Sequence, residues 1–211
     1  MRAFWKRSAG RKSSPLLEEI IRHFNQAAAD EEHFPATIDP RIYHVQLILE
    51  YFGDLNAKRV LDVGCGKGRF ARVFSERYPR AALAGFDLSE AMLHFVPQGV
   101  ARCAGSMTDL PFASDSFDCA YATESLEHAV DIEQAVKEMC RVVKPGGRIV
   151  VIDKNAEQWG RLPTPDWEKW FDRRKLEQLL ARDCRHVSSR PISYWEDVAP
   201  DGLFLAWMAE K

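Results

Sequence analysis

From residue 59 onward, short apolar runs alternate with stretches in which apolar residues recur every three or four positions. The runs RVLDVG (59–64), AALAGFD (81–87), VARCAG (100–105), FDCAYAT (117–123) and GRIVVID (147–153) predict strands. Helical spacing predicts helices over 68–78, 89–96 and 131–143, the last stopped by the turn sequence KPGG. Strands separated by helices pair in parallel through right-handed crossovers, so the pattern predicts an α/β fold with a doubly wound sheet. A further helix is expected in WEKWFDRRKLEQLLARD (167–183), followed by apolar runs at 185–195 and 202–209 with no helix between them. These two strands are expected to form an antiparallel hairpin that closes one edge of a mostly parallel, seven-stranded sheet.

Ahead of the first strand, Pro15 opens a helical pattern over LLEEIIRHFNQAAA, and RIYHVQLILEYF (41–52) gives a second helix that ends at Gly53. The stretch DEEHFPATIDP between them either connects the helices or folds over a ligand. The expected organisation is a single domain over 15–211. It has a helical cap (15–56), a ligand-binding core (57–153), and a cover helix with closing strands (154–211). Residues 1–14 carry five Arg or Lys and no acid, which reads as a solvated basic arm, with a membrane or RNA contact as the alternative.

The 211 residues are 46% hydrophobic and 28% charged, enough for a core that needs no staples. A formal charge of −2 gives no global attraction to nucleic acid or to anionic membranes. Cys65, Cys103, Cys119, Cys140 and Cys184 form no CxxC pair and read as reduced core residues, which suits a cytoplasmic compartment. No run approaches the roughly 20 apolar residues a membrane-spanning helix needs, and no apolar run follows the N-terminal charges as in a secretory signal.

The chemistry concentrates in VLDVGCGKGRF (60–70). Glycine is costly in regular structure, so Gly64, Gly66 and Gly68 mark a sharp turn or a close approach to a ligand. The dinucleotide fingerprint GxGxxG fails here, because its third position falls on Arg69. Asp62, two residues before the first glycine, is a poor neighbour for a pyrophosphate and a good one for a cation. The stretch Asp62 to Gly68 resembles the first motif of class I S-adenosylmethionine-dependent methyltransferases, and the similarity extends over most of the chain from about residue 40. The resemblance implies a Rossmann-like fold and S-adenosylmethionine as cofactor. It further implies that Gly64, Cys65, Gly66 and Gly68 pack against the amino-acid part of that cofactor while Asp62 holds its ammonium. Asp87, nineteen residues after Gly68, is placed to accept both ribose hydroxyls, with Leu88 beside it; capping the next helix is the competing role. GSMTDLPFASDSFD (105–118) resembles the family segment around adenine, with Ser106 where an Asp is usual, Met107 offering its backbone, and Asp109 in reserve. Thr123 at the end of the fourth strand completes the set.

Past that strand, Glu124, Glu127 and His128 form E-x-x-E-H. Three readings compete: a motif that caps and orients the following helix, a general base at His128 acting with Glu124, and a metal site. The metal reading lacks further ligands, since the stretch expected to supply them reads LPTPDWEKWF (162–171), and no metal is assigned. Trp159, Trp167 and Trp170 could stack on a flat acceptor or simply pack. The function expected is methyl transfer to a small-molecule acceptor, with oxygen slightly preferred and no nucleic acid partner. The alternatives are a cofactor-binding subunit without catalysis, an RNA or protein methyltransferase, and a nicotinamide oxidoreductase.

Overall fold

A computed structural model describes residues 14–211. The basic arm expected over 1–14 therefore lies, apart from Ser14, outside the described residues. The chain forms one seven-stranded sheet. Its strands are β1 (Arg59–Val63), β2 (Ala82–Asp87), β3 (Ala101–Ala104), β4 (Phe117–Thr123), β5 (Val143–Lys154), β6 (Arg185–Ile192) and β7 (Phe204–Glu210). Their order is β3-β2-β1-β4-β5-β7-β6, with β1 to β5 parallel and β7 antiparallel to both β5 and β6. The order reverses between β1 and β4, which is where an open α/β sheet leaves a crevice at the carboxyl ends of its strands.

Among the described residues six α-helices accompany the sheet: α1 (Pro15–Ala27), α2 (Tyr43–Phe52), α3 (Arg69–Arg77), α4 (Glu90–Leu93), α5 (Ile132–Val142) and α6 (Arg173–Leu180). Ser14, Ser89, Asp131 and Asp172 cap α1, α4, α5 and α6 by accepting the backbone N–H three residues on, each cap worth about 1 kcal/mol. The central strands are buried on both faces, their alternate residues entering opposite layers, while the edge strands β3 and β6 are largely exposed. Leu61 and Val63 pack with Val136, Met139 and Leu176, whereas Val60 packs with Phe52, Phe74 and Tyr121.

Two predicted helices are shorter than their spacing suggests. Beyond Leu93 the chain winds into tighter turns, with Phe95 N–H donating to Met92 and Val96 N–H to Leu93, three residues back. Residues 167–171 do not join α6, because tertiary contacts hold them straighter. Lys169 Nζ donates to the Ala129 carbonyl at 2.6 Å, and Phe171 N–H donates to the Lys154 carbonyl at 2.9 Å. Among the described residues no helix is long and apolar enough to cross a membrane.

The N-terminal cap is latched over the carboxyl edge of the sheet. Asn25 Oδ1 on α1 accepts from Ser89 Oγ at 2.7 Å, and Lys67 Nζ donates to Glu31 Oε1 at 2.5 Å and to the Asp30 carbonyl at 3.1 Å.

Candidate functional site

The loop after β1 is held by its own backbone. The amides of Gly64 and Cys65 both donate to the Phe86 carbonyl, at 2.7 and 3.0 Å, and the Gly66 amide donates to Asp87 Oδ2 at 2.7 Å. Gly64 has φ 74°, and a Cβ there would lie 2.3 Å from the Ser125 Cβ, so only glycine lets β1 and β4 approach at this point. Gly68 serves a different end. It starts α3 with φ 78° and lies under Val96 and Pro97, away from the cavity wall.

A cavity opens over this loop, roofed by Leu17, Ile20 and Phe24 of α1 and by Phe34. Its wall follows the strand order. Ser106 and Met107 come from the end of β3, Asp87 and Leu88 from β2, Gly64, Cys65 and Gly66 from β1, and Thr123, Glu124 and His128 from β4. Asp87 accepts the Gly66 and Ser89 amides, one on each carboxylate oxygen. Burial raises its pKa, and those backbone donors oppose the shift. Ser106 Oγ lies 2.8 Å from Thr108 Oγ1 in a local turn, while Asp109 is absent from the wall and stands near Arg141 instead.

Asp62 does not reach the crevice. It is 3% exposed, absent from the cavity wall, and paired across the sheet with Tyr121, whose hydroxyl faces it short of hydrogen-bond geometry. Burial pushes its pKa up to about 7, against the modest pull of Tyr121.

A second cavity adjoins the first and shares Phe24, Arg69, Glu124 and His128 with it. Glu124 has φ 49°, an uncommon conformation for a non-glycine residue. Its carboxylate meets Arg69 at 3.2 Å and receives the Tyr194 hydroxyl at 3.3 and 3.4 Å. His128 is kept neutral, its pKa lowered to about 3 by burial first and then by Lys154, His23 and Lys169. Its Nε2 lies 3.4 Å from Glu127 Oε1, the Phe24 ring packs against the imidazole at 4.9 Å, and its buried Nδ1 has no partner.

Behind His128 lies a charge cluster that the sequence reading resolved only in part. Lys154 Nζ donates to both oxygens of Glu127, at 2.6 and 2.8 Å, and lies 3.1 Å from Glu168. Asp153 accepts the Glu127 and Lys154 amides. Two carboxylates thus share one ammonium in a buried place, with Asp153 beside them. Burial raises the pKa of both Glu127 and Asp153; Asp153 raises Glu127 further, whereas Glu127 and Lys154 pull Asp153 down. LPTPDWEKWF, read as supplying no ligand, in fact brings Glu168 beside Glu127 and His128, their polar atoms within 4.8 Å of one another. Glu124 is not part of this group, and the Lys154 ammonium already meets both of its carboxylates. Of the three Trp residues, Trp159 is 60% exposed, Trp170 is buried and donates to Glu168, and Trp167 packs on His23.

The cavity roof on α1, together with Arg69 and the Lys154–Glu168 pair, escaped the sequence reading. The amphipathic spacing of α1 was a signal for the roof, while the others answer to no local pattern.

A family model described as "Methyltransferase domain" matches residues 61–151. A demethylmenaquinone methyltransferase of Renibacterium salmoninarum is 34% identical over 154 residues, which cover 71% of this chain and 61% of that protein. Methyltransferase GfsG of Streptomyces halstedii is 35% identical over 171 residues, covering 69% and 61%. The chain thus spans about three fifths of the length of these curated relatives. Among solved structures, geranyl diphosphate C-methyltransferase from Streptomyces coelicolor A3(2) superposes with TM-score 0.69 at 17% identity, covering 95% of this chain and 99% of that one. The [4+2]-cyclase SpnF superposes with TM-score 0.76 at 17% identity, covering 97% and 99%.

Proposed function

The chain belongs to the class I S-adenosylmethionine-dependent methyltransferases, and from that premise we propose that it binds S-adenosylmethionine and transfers its methyl group to a small molecule bearing an acidic hydroxyl. The observation that carries the reading is the order of chemistries along the strand ends: a turn with Met107 at β3, a carboxylate at β2, a glycine loop at β1, and Glu124 beyond β4 paired with Arg69 at the start of α3. Adenine, ribose and methionine follow one another in that same order along the cofactor. The cavity fits such a group: the Gly64 turn admits no Cβ, and each Asp87 oxygen has one lone pair committed to a backbone amide and another to offer a ribose hydroxyl. When bound, the cofactor supplies a methyl carbon made electrophilic by a sulfonium.

The chain's own residues then have three tasks. The β1 loop and Asp87 fix the nucleoside end, and α1 with Phe34 keeps water from the reacting atoms. His128, at the junction of the two cavities, receives the acceptor proton. A neutral imidazole can do this, but burial weakens it as a base. It therefore suits a phenol or an enol better than an alkyl alcohol. Deprotonating such a hydroxyl activates oxygen directly and also enriches an adjacent ring carbon. Oxygen is the preferred site, and carbon follows it, since relatives include both fatty-acid O-methyltransferase and UbiE C-methyltransferases.

Calorimetry with S-adenosylmethionine, S-adenosylhomocysteine and NADH, followed by methyl transfer to a panel of phenols, tests the proposal. Saturable binding of the first two with turnover supports it. Binding without turnover on any acceptor favours a chain that binds the cofactor without transferring its methyl group.

A further inference from the structure

We propose that Arg69 and Glu124 together receive the zwitterionic amino-acid end of the cofactor, Arg69 taking its carboxylate and Glu124 its ammonium; this rests on the reading that the cavity takes S-adenosylmethionine.

Three charged side chains line the first cavity, namely Asp87, Arg69 and Glu124. Asp87 ends β2 and Glu124 follows β4, so they flank the β1 loop from opposite sides. An extended ligand with its diol at Asp87 carries its other end toward Arg69 and Glu124. The other charges near the loop are unsuited to that end. Asp62 is sealed beneath the sheet surface, and the Lys67 side chain, 1% exposed, is tied to Glu31 and to the Asp30 carbonyl.

The resting pair has the form expected of a site that trades partners. Arg69 and Glu124 meet through one contact at 3.2 Å, not through a two-pronged bridge, and their side chains are 27% and 21% exposed. Each neutralises the other in a partly dry cavity, where a lone charge would be costly. An amino acid presents ammonium and carboxylate on one carbon. Its arrival replaces one neutral pair by two and leaves the cavity charge unchanged. Arg69 can then offer the carboxylate a forked contact that it does not make with Glu124. The positive φ of Glu124 fits this role, because backbone strain persists where surrounding structure holds a side chain in a required position. Tyr194 steadies the same carboxylate from the closing hairpin, which keeps Glu124 aimed while Arg69 turns to the ligand.

The test is calorimetry with three probes that differ at this end, each followed across the variants and not against the others, because the decarboxylated probe is a sulfonium ion and the other two are thioethers. S-adenosylhomocysteine carries both charged groups, decarboxylated S-adenosylmethionine lacks the carboxylate, and methylthioadenosine lacks both. In Arg69→Met, affinity for S-adenosylhomocysteine is expected to fall about tenfold to a hundredfold, the range for hydrogen bonds to charged groups. The decarboxylated probe should be nearly unaffected. In Glu124→Gln both amine-bearing probes should weaken. Methylthioadenosine should bind all variants alike, which also reports that they fold. Unchanged binding of S-adenosylhomocysteine by both variants overturns the assignment. So does a loss seen in Asp62→Asn and absent in Glu124→Gln, which would return the ammonium to Asp62. If the unaltered protein binds none of the three probes, the cofactor reading itself falls; binding of methylthioadenosine alone overturns only the assignment of Arg69 and Glu124.

Discussion

The nucleoside corner around Asp87 and the acceptor corner around His128 lie on one sheet edge, yet they are built from different kinds of contact. At Asp87 the donors are backbone amides of the adjacent loop and of the residues that follow the strand. Around His128 the contacts are between side chains far apart in sequence: Lys154 with Glu127 and Glu168, Phe24 with the imidazole, and Tyr194 with Glu124. A corner made of backbone keeps its shape when one side chain changes. A corner made of paired charges does not, because removing one partner strands the other.

The sharpest way to break this contrast is Lys154→Met. It leaves Glu127 and Glu168 buried without their shared ammonium, and loss of one member of such a group costs about 3–5 kcal/mol. Denaturant unfolding is the measurement, and adding Glu127→Gln should return part of the loss. Stability unchanged by Lys154→Met would mean that water already reaches the cluster.

Next in size, His128→Ala should lower turnover of a phenolic acceptor about a hundredfold with little change in cofactor affinity. Equal losses of turnover and affinity would make the residue structural. With the His128 pKa near 3, the rate should also show no acid limb at the ordinary histidine value. A limb there would show that His128 titrates normally in the folded protein or that another group takes the proton.

Asp87→Ala tests the backbone-built corner. Loss of two charge-assisted hydrogen bonds to the ribose should weaken S-adenosylhomocysteine about thirtyfold, while the melting temperature moves less than in Lys154→Met. Unchanged affinity in calorimetry would remove Asp87 from the ribose.

The smallest effect concerns His44. It is buried with neither ring nitrogen partnered, stacks on Tyr194 at 4.6 Å, and has its pKa lowered to about 4 by burial, with Glu124 pulling up and Arg69 down. Between pH 4 and the ordinary histidine value near 6.5, the unfolded chain binds a proton at this residue that the folded chain does not. Stability contributed here is therefore present above that window and lost as pH falls through it. Asp62 and Asp153, with pKa values raised to about 7 and about 6, act in the opposite sense and lose stability as pH rises. His44→Phe should make the acid-side fall in melting temperature shallower while leaving the alkaline side alone. An unchanged acid slope would show that His44 titrates normally in the folded protein.

Most strands and the longer helices could be read in advance, because a two-sided parallel sheet and its crossover helices leave periodic patterns in neighbouring residues. The exceptions are instructive. Trp167 to Phe171 has helical spacing, but contacts with Glu127, Ala129 and Lys154 hold it straighter. Asp62 was expected in the crevice because it stands beside the glycines. Side chains of a strand covered on both faces point alternately into the two layers, and Asp62 falls on the layer that holds Tyr121.

The sequence alone determined the doubly wound core, the glycine turn and the carboxylate at the end of β2, since each depends on residues close together in the chain. Only the tertiary structure decided that Asp62 is sealed away, that Arg69 meets Glu124, and that Lys154 and Glu168 stand behind His128. Those contacts join segments tens of residues apart, and which side chains meet there depends on how the strands and crossovers pack, information that no local spacing carries.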